Sequence, residues 1–245
     1  MKISIVIPTY NSIKFINACL DSVLAQTYED REVIVYDNES IDGTYELLES
    51  RLDENFKLIS IPNTEPNGYR EAIRHIFKNS TSEFVTFISS DDFIDKNYIK
   101  NYLNFIETLP DKYKLYQSGL IYATEQGIHT DQRVIHTYTN LEEFKALCLK
   151  HCPVANPTVV YRTEVGPLLE IREAHKAYNV QDIGAGDYDM WCGLADRGVF
   201  IKPINECFGY FYRWHSDQCT WKIRGQPINH DAIIQAYWRN KWLKN

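Results

Sequence analysis

The sequence predicts an α/β fold, a mixed sheet flanked by helices and followed by a helical tail. Short β-branched runs alternate with segments of helical periodicity through residues 1–100. The links between them are short, which suits parallel strands with helices on both faces. The composition is that of a globular chain of 245 residues, 44% hydrophobic and 24% charged, long enough for a sizeable core.

Taken in order, "ISIVI" (3–7) is a β-branched run suited to a strand buried on both faces. Ile13, Ile16, Leu20, Val23 and Leu24 then recur at helical spacing, with Asn11 or Ser12 as the cap. "EVIVY" (32–36) is the second strand, and a turn-rich stretch leads into a short helix near 44–51. "FKLISI" (56–61) is the third strand, "YREAIRHIFKNS" (69–80) a helix and "EFVTFIS" (83–89) the fourth strand. In the second half, "LYQSGLIYA" (115–123) and "PTVVYR" (157–162) read as strands, with a helix near 141–150 between them. "DYDMWCGLADRG" (187–198) reads as a helix ended by Gly198, and "CFGYFYRWH" (207–215) as an aromatic strand. No linker or repeat interrupts the chain, so one domain over 1–226 with a helical tail over 227–245 is expected.

A formal net charge of −7 disfavours nonspecific nucleic-acid binding. No segment reaches the ~18 apolar residues of a membrane span, and the apolar run in "MKISIVIP" is too short for a secretory core. The expected location is therefore the cytoplasm, with Cys19, Cys148, Cys152, Cys192, Cys207 and Cys219 as reduced thiols. "CLKHC" (148–152) lacks the tight paired spacing of structural zinc, so buried cysteines are the reading there. The tail carries Lys222, Arg224, Arg239, Lys241 and Lys244 against Asp231, together with Tyr237, Trp238 and Trp242. Such a helix either packs on the body with its cations solvated or lies against the inner face of an anionic membrane.

In parallel α/β sheets, ligands bind beyond the carboxyl ends of the strands. Three of those ends carry polar clusters: "PTYN", "DNES" and "SSDD". Asp91 and Asp92 stand side by side in the last one, either capping the next helix, a job Asp95 could also do, or facing a cation. Neither a GxGxxG nor a GxxxxGK phosphate cradle is present. A nucleotide on this rim would therefore need a metal, and Mg²⁺ or Mn²⁺ takes one or two carboxylates plus phosphate oxygens. Asp91 is the candidate ligand, with Ser89 and Ser90 as nearby hydroxyls. Asp187 stands at a loop-to-helix junction, placed as a general base. Asp189, further into the helix, is read as a capping or packing residue. From spacing alone, His215 is a packed or surface histidine.

These segments, in this order, resemble family 2 glycosyltransferases, whose nucleotide-sugar-binding fold is termed GT-A. "ISIVIPTYN" resembles the family's opening strand and donor loop, and "EVIVYDNESIDGT" its "IIVVDDGSTDGT". "FISSDDF" sits where the family has "FLDSDD", "GDYDMWCGLADRG" resembles "EDYDLWLRLALRG", and "FYRWH" resembles "YRxH". The resemblance implies a Rossmann-like mixed sheet with a nucleotide-binding half over 1–110 and an acceptor and catalytic half over 111–226. It implies inverting, metal-dependent transfer from a nucleotide diphosphate sugar, read as a UDP-sugar, to a glycan or lipid-linked acceptor of a bacterial surface polysaccharide. Pro8, Thr9, Tyr10 and Asp37 would hold base and ribose, and Asn67, Gly68 and Arg70 would lie along the diphosphate. Asp91 and His215 would hold Mn²⁺ or Mg²⁺, with Ser90 beside the donor and Arg213 as a phosphate partner. Asp187 would be the base, and Trp191, one turn on, is an acceptor-side ring or a packing residue. The chain departs from the family at Ser89 (an aspartate there), Asn38 (aspartate), Glu39 (glycine) and Gly186 (glutamate). The competing functions are a non-catalytic sugar-nucleotide-binding protein and a nucleotidyltransferase. The latter would show a glycine-rich basic loop, which "PTYNSIKF" is not.

Overall fold

Each strand of the main sheet offers apolar side chains to both faces, and helices cover both. The computed structural model describes residues 1–62, 68–170, 172–179, 185–218, 220–221, 225 and 227–243. The elements are β1 (Ile3–Thr9), α1 (Ile16–Leu24), β2 (Arg31–Asp37), α2 (Thr44–Ser50), β3 (Lys57–Ser60), α3 (Gly68–Asn79), β4 (Phe84–Phe87), β5 (Phe93–Ile94) and α4 (Tyr98–Glu107). There follow β6 (Leu115–Ser118), β7 (Leu120–Ala123), β8 (His129–Val134), α5 (Leu141–Cys148), β9 (Val159–Arg162), α6 (Glu173–Ala177), α7 (Gly186–Asp196), β10 (Ile201–Ile204), β11 (Tyr210–Arg213) and α8 (His230–Leu243).

The main sheet runs β10-β6-β9-β4-β1-β2-β3. β1 pairs in parallel with β2 and β4, whereas β9 is antiparallel to β4 and β6, so the sheet is mixed as expected. Ile3, Ile5 and Ile7 pack with α1 and α4 on one side, and Val6 joins Trp191 and Trp238 on the other. A second sheet, β5-β11-β7-β8, stands beside it.

The run at 115–123 is two strands rather than one. Gly119 separates them, its N–H donating to the Cys207 carbonyl at 2.9 Å. A Cβ on Gly119 would lie 2.3 Å from the Phe208 ring, so only glycine fits where the chain passes from one sheet to the other.

The tail helix α8 turns its rings inward. Trp238 and Ile234 are buried, the Trp238 indole N–H donates to Asp189 and that of Trp242 to Asp196. Lys241 pairs with Glu173 and Asp196. Of the two expected placements of the tail, the packed one is therefore what the structure describes, because Trp238 belongs to the core and Trp242 packs against it. No helix among the described residues is long and apolar enough to cross a membrane. The five described cysteines are free thiols, with Cys148 buried at the end of α5 and Cys219 outside the described residues.

Candidate active site

β1, β2 and β4 are parallel neighbours, so their carboxyl ends meet on one rim. The loops leaving β1 and β2 are laced together. Asn38 N–H donates to the Thr9 carbonyl, Asn11 N–H to the Ser40 hydroxyl, and Ile41 N–H to the Asn11 side chain. Asn11 and Glu39 both adopt left-handed backbone, at φ 48° and 54°. Asparagine tolerates that region; glutamate does so at a cost. Ser12 and Ser90 hydroxyls bond at 2.7 Å, joining the β1 loop to the β4 loop.

Pro8 is half-buried, Thr9 buried and Tyr10 half-exposed, all on this rim. Asp37 is completely buried, and both its oxygens accept from Ser40, one from the N–H and one from the hydroxyl. The structure thus gives Asp37 a different position from the expected ligand contact: it shapes the turn beneath the rim. Gly68 opens α3, whereas Asn67 and the Arg70 side chain lie outside the described residues.

The acidic pair divides its work. Asp92 is completely buried, accepting from the Arg213 N–H at 2.8 Å and the Tyr210 hydroxyl at 2.8 Å. Burial and the neighbouring Asp91 charge push its carboxyl well up from the usual range. It pins β11 under the β4 loop and caps no helix; Asp95 is the residue that turns the chain into α4, its carbonyl accepting from Tyr98. Asp91 points elsewhere. Its Oδ2 lies 3.0 Å from His215 Nε2, and the Arg213 guanidinium donates to its carbonyl at 2.7 Å. Arg213 also donates to the Glu125 carbonyl and stacks over Phe15 and Phe93. Only 5% of it is exposed, so it supports Asp91 instead of meeting a phosphate, contrary to expectation.

The residues present fit a divalent ion. The 3.0 Å between Asp91 and His215 is the separation of neighbouring ligands around an octahedral ion with ~2.1 Å bonds. The buried His215 Nδ1 has no hydrogen-bond partner among the described residues, so no contact there prevents Nε2 from presenting its lone pair. No cluster of three His, Cys, Asp or Glu side chains able to hold a metal occurs among the described residues. Two protein ligands leave the remaining positions to phosphate oxygens and water, the usual pattern for Mg²⁺.

Asp187 lies in the first turn of α7, after Ala185 in left-handed backbone at φ 52°. Burial pushes its carboxyl up, partly opposed by the Tyr188 N–H and the Arg172 charge. Asp187, Asp91 and Ser89 line one cleft of about 730 Å³. Its wall also includes His151 of the "CLKHC" stretch and Tyr122, Asn156, Trp214 and Trp221, the last four not singled out in the sequence. The signal available for Trp214 was strand alternation: it falls between Arg213 and His215 and so faces the other way.

Trp191 is not in that wall. It is fully buried and stacked on Tyr161 at 6.1 Å, which corrects the acceptor-side reading in favour of packing. Asp189 is also buried. It accepts from Ala174 and His175 N–H groups, the His175 ring and the Trp238 indole, fastening α7 to α6 and α8.

Comparison with known proteins agrees with this fold. Residues 4–163 match the sequence model of glycosyl transferase family 2. The chain is 28% identical, over 96% of its length and 86% of the relative's, to the UDP-Glc:alpha-D-GlcNAc-diphosphoundecaprenol beta-1,3-glucosyltransferase WfaP of Escherichia coli. It is 27% identical over 95% of its length to a hyaluronan synthase of Pasteurella multocida, of which it spans 22%. Residues 1–349 of S. aureus TarS, solved in complex with UDP-GlcNAc, share the fold with a TM-score of 0.66 at 21% identity, covering 98% of this chain and 67% of that one.

Proposed function

The chain belongs to glycosyl transferase family 2, and we propose that it transfers a sugar from a UDP-sugar to a hydroxyl of a glycan or lipid-linked acceptor with inversion at the anomeric carbon. The observation that carries this reading is the joint presence of Asp91 and Asp187 in one cleft. The WfaP name and the TarS complex support a UDP donor and a role in surface glycan assembly.

Asp187 accepts the acceptor hydroxyl proton as that oxygen bonds to the anomeric carbon from the face opposite the nucleotide. The bond from that carbon to the diphosphate oxygen breaks in the same displacement, and the configuration inverts. A carboxyl raised by burial is the stronger base for this step. Asp91 and His215 would hold Mn²⁺ or Mg²⁺, which when bound supplies positive charge against the departing diphosphate. Arg213 and Asp92 hold those two ligands in place. Asp37, Ser40 and Asn11 keep the donor rim in shape.

A panel of nucleotide sugars, scored for slow donor hydrolysis with Mn²⁺ and no acceptor, tests the reading. Turnover of a UDP-sugar is expected. Silence across the panel would instead support the non-catalytic binding protein. Asp91→Ala should weaken Mn²⁺ and donor binding together, and donor affinity independent of Mn²⁺ in the wild type would remove the metal from the mechanism.

A further inference from the structure

We propose that Trp214 and Trp221 form the platform on which the acceptor's pyranose ring stacks, in the cleft that Asp187 also lines. The inference rests on the transferase reading, because that reading brings an acceptor sugar into this cleft.

Both indoles line the same cleft as Asp187 and are large apolar groups left open, 49% exposed for Trp214 and 38% for Trp221. An aromatic ring held open inside a cleft offers a surface that a ligand face can cover. These rings are also fixed in orientation. Trp214 meets Trp221 edge-on at 5.7 Å and 76°, and Tyr122 at 5.4 Å and 69°. The Trp214 backbone N–H donates to the Ala123 carbonyl, and the Trp221 indole N–H to the His215 carbonyl. The platform is therefore built on the same segment that carries the metal-side histidine. A preorganised ring binds without first losing rotamer freedom.

The chemistry of the wall selects a sugar over a hydrocarbon. A pyranose has one face of C–H groups and a rim of hydroxyls, so it needs an aromatic face bordered by hydrogen-bonding groups. His151 and Asn156 supply that border in the same cleft. The Asn156 side-chain oxygen is buried and has no hydrogen-bond partner among the described residues, an acceptor that a sugar hydroxyl would satisfy. An alkyl chain could cover the indoles but would leave that amide unpaired, at a cost in affinity.

The test uses the full chain labelled with ¹⁵N at the indole nitrogens, with UDP and diamagnetic Mg²⁺ present. Methyl glucopyranoside and methyl 2-acetamidoglucopyranoside are titrated, and octyl glucoside, below its micellar concentration, forms a separate arm. The Trp214 signal is assigned by its loss in Trp214→Phe. A methyl glycoside is expected to shift the Trp214 and Trp221 signals and leave those of the buried Trp191 and Trp238 in place. Trp214→Ala should raise the methyl glycoside Kd about tenfold or more, and Trp214→Phe should raise it less, since a smaller ring still stacks. Unmoved Trp191 and Trp238 signals in each variant show that it is folded. Shifts confined to the Trp191, Trp238 and Trp242 signals, or a response to octyl glucoside with none to either methyl glycoside, would overturn the platform, the latter in favour of an apolar tail as its occupant. Donor hydrolysis by the same wild-type sample separates the two claims. If hydrolysis persists while the indoles stay silent, the transferase reading stands and the platform falls; indole shifts without hydrolysis count against the transferase reading alone.

Discussion

Replacing Asp189 with asparagine removes the carboxylate that fastens three helices together. Four N–H groups converge on its two oxygens: Ala174 at 3.2 Å, His175 backbone at 3.0 Å, His175 Nδ1 at 2.9 Å and the Trp238 indole at 2.8 Å. An amide offers one oxygen, so it can keep the pair on one side, while its NH₂ group faces the other two donors. Each buried donor left unpaired costs about 1–3 kcal/mol. The His175 ring can accept from that NH₂ by changing tautomer, so one backbone donor is left unpaired, and with the charge assistance also lost the expected destabilisation is about 2 kcal/mol or more, a large fraction of a typical domain's ~5–15 kcal/mol. Urea unfolding reads this as a lower midpoint. The sign with pH is also set. Burial alone would raise the Asp189 carboxyl, but the His175 ring, the backbone N–H groups and Trp238 hold it below the ordinary 3.8. Its contribution is thus present above the unfolded-state value and lost as pH falls through the lower folded one. The gap between wild type and Asp189→Asn should narrow in acid. A loss under 1 kcal/mol at neutral pH, or a gap that widens on acidification, would refute the reasoning.

Three further substitutions probe the site and its frame. Arg213→Lys keeps a charge but cannot span the Asp91 and Glu125 carbonyls while lying between Phe15 and Phe93. Mn²⁺ affinity, followed by electron paramagnetic resonance, should fall about tenfold or more, and an unchanged Kd would contradict the supporting role. Glu39→Gly relieves left-handed backbone at φ 54° and should stabilise the fold by up to about 1 kcal/mol; a lower melting temperature would show that the glutamate's contacts outweigh its backbone strain. Gly119→Ala drives a methyl into the Phe208 ring and should cost about 1–3 kcal/mol, against which an unshifted urea midpoint would argue.

Much of the frame was legible because burial dictates pattern. "ISIVI" and "EVIVY" lie in strands buried on both faces, and the polar clusters at their ends do meet on one rim. The break at Gly119 was hidden inside a continuous apolar run, since only its approach to Phe208 reveals it. β8 was also missed: its "HTDQRV" stretch is largely exposed and shows no apolar alternation. At the site, Asp91 and Asp187 were legible as carboxylates at element junctions, but side-chain direction was not. Asp37 and Asp189 share their chemistry yet turn inward, and Arg213 is occupied by two carbonyls. Trp191 was misplaced for the same reason. α7 carries Trp191 into the core against Tyr161, whereas strand alternation leaves Trp214 open. Each of these depends on what another element places opposite, which a single sequence does not contain.

The most direct measurement on the central claim is the rate of sugar transfer by Asp187→Asn with the donor and acceptor that the wild type uses. With the base removed and Mn²⁺-dependent UDP binding retained as a check on folding, transfer should fall by about 10²-fold or more. Near-wild-type transfer in this variant would show that Asp187 does not accept the proton, and with it the proposed mechanism would fail.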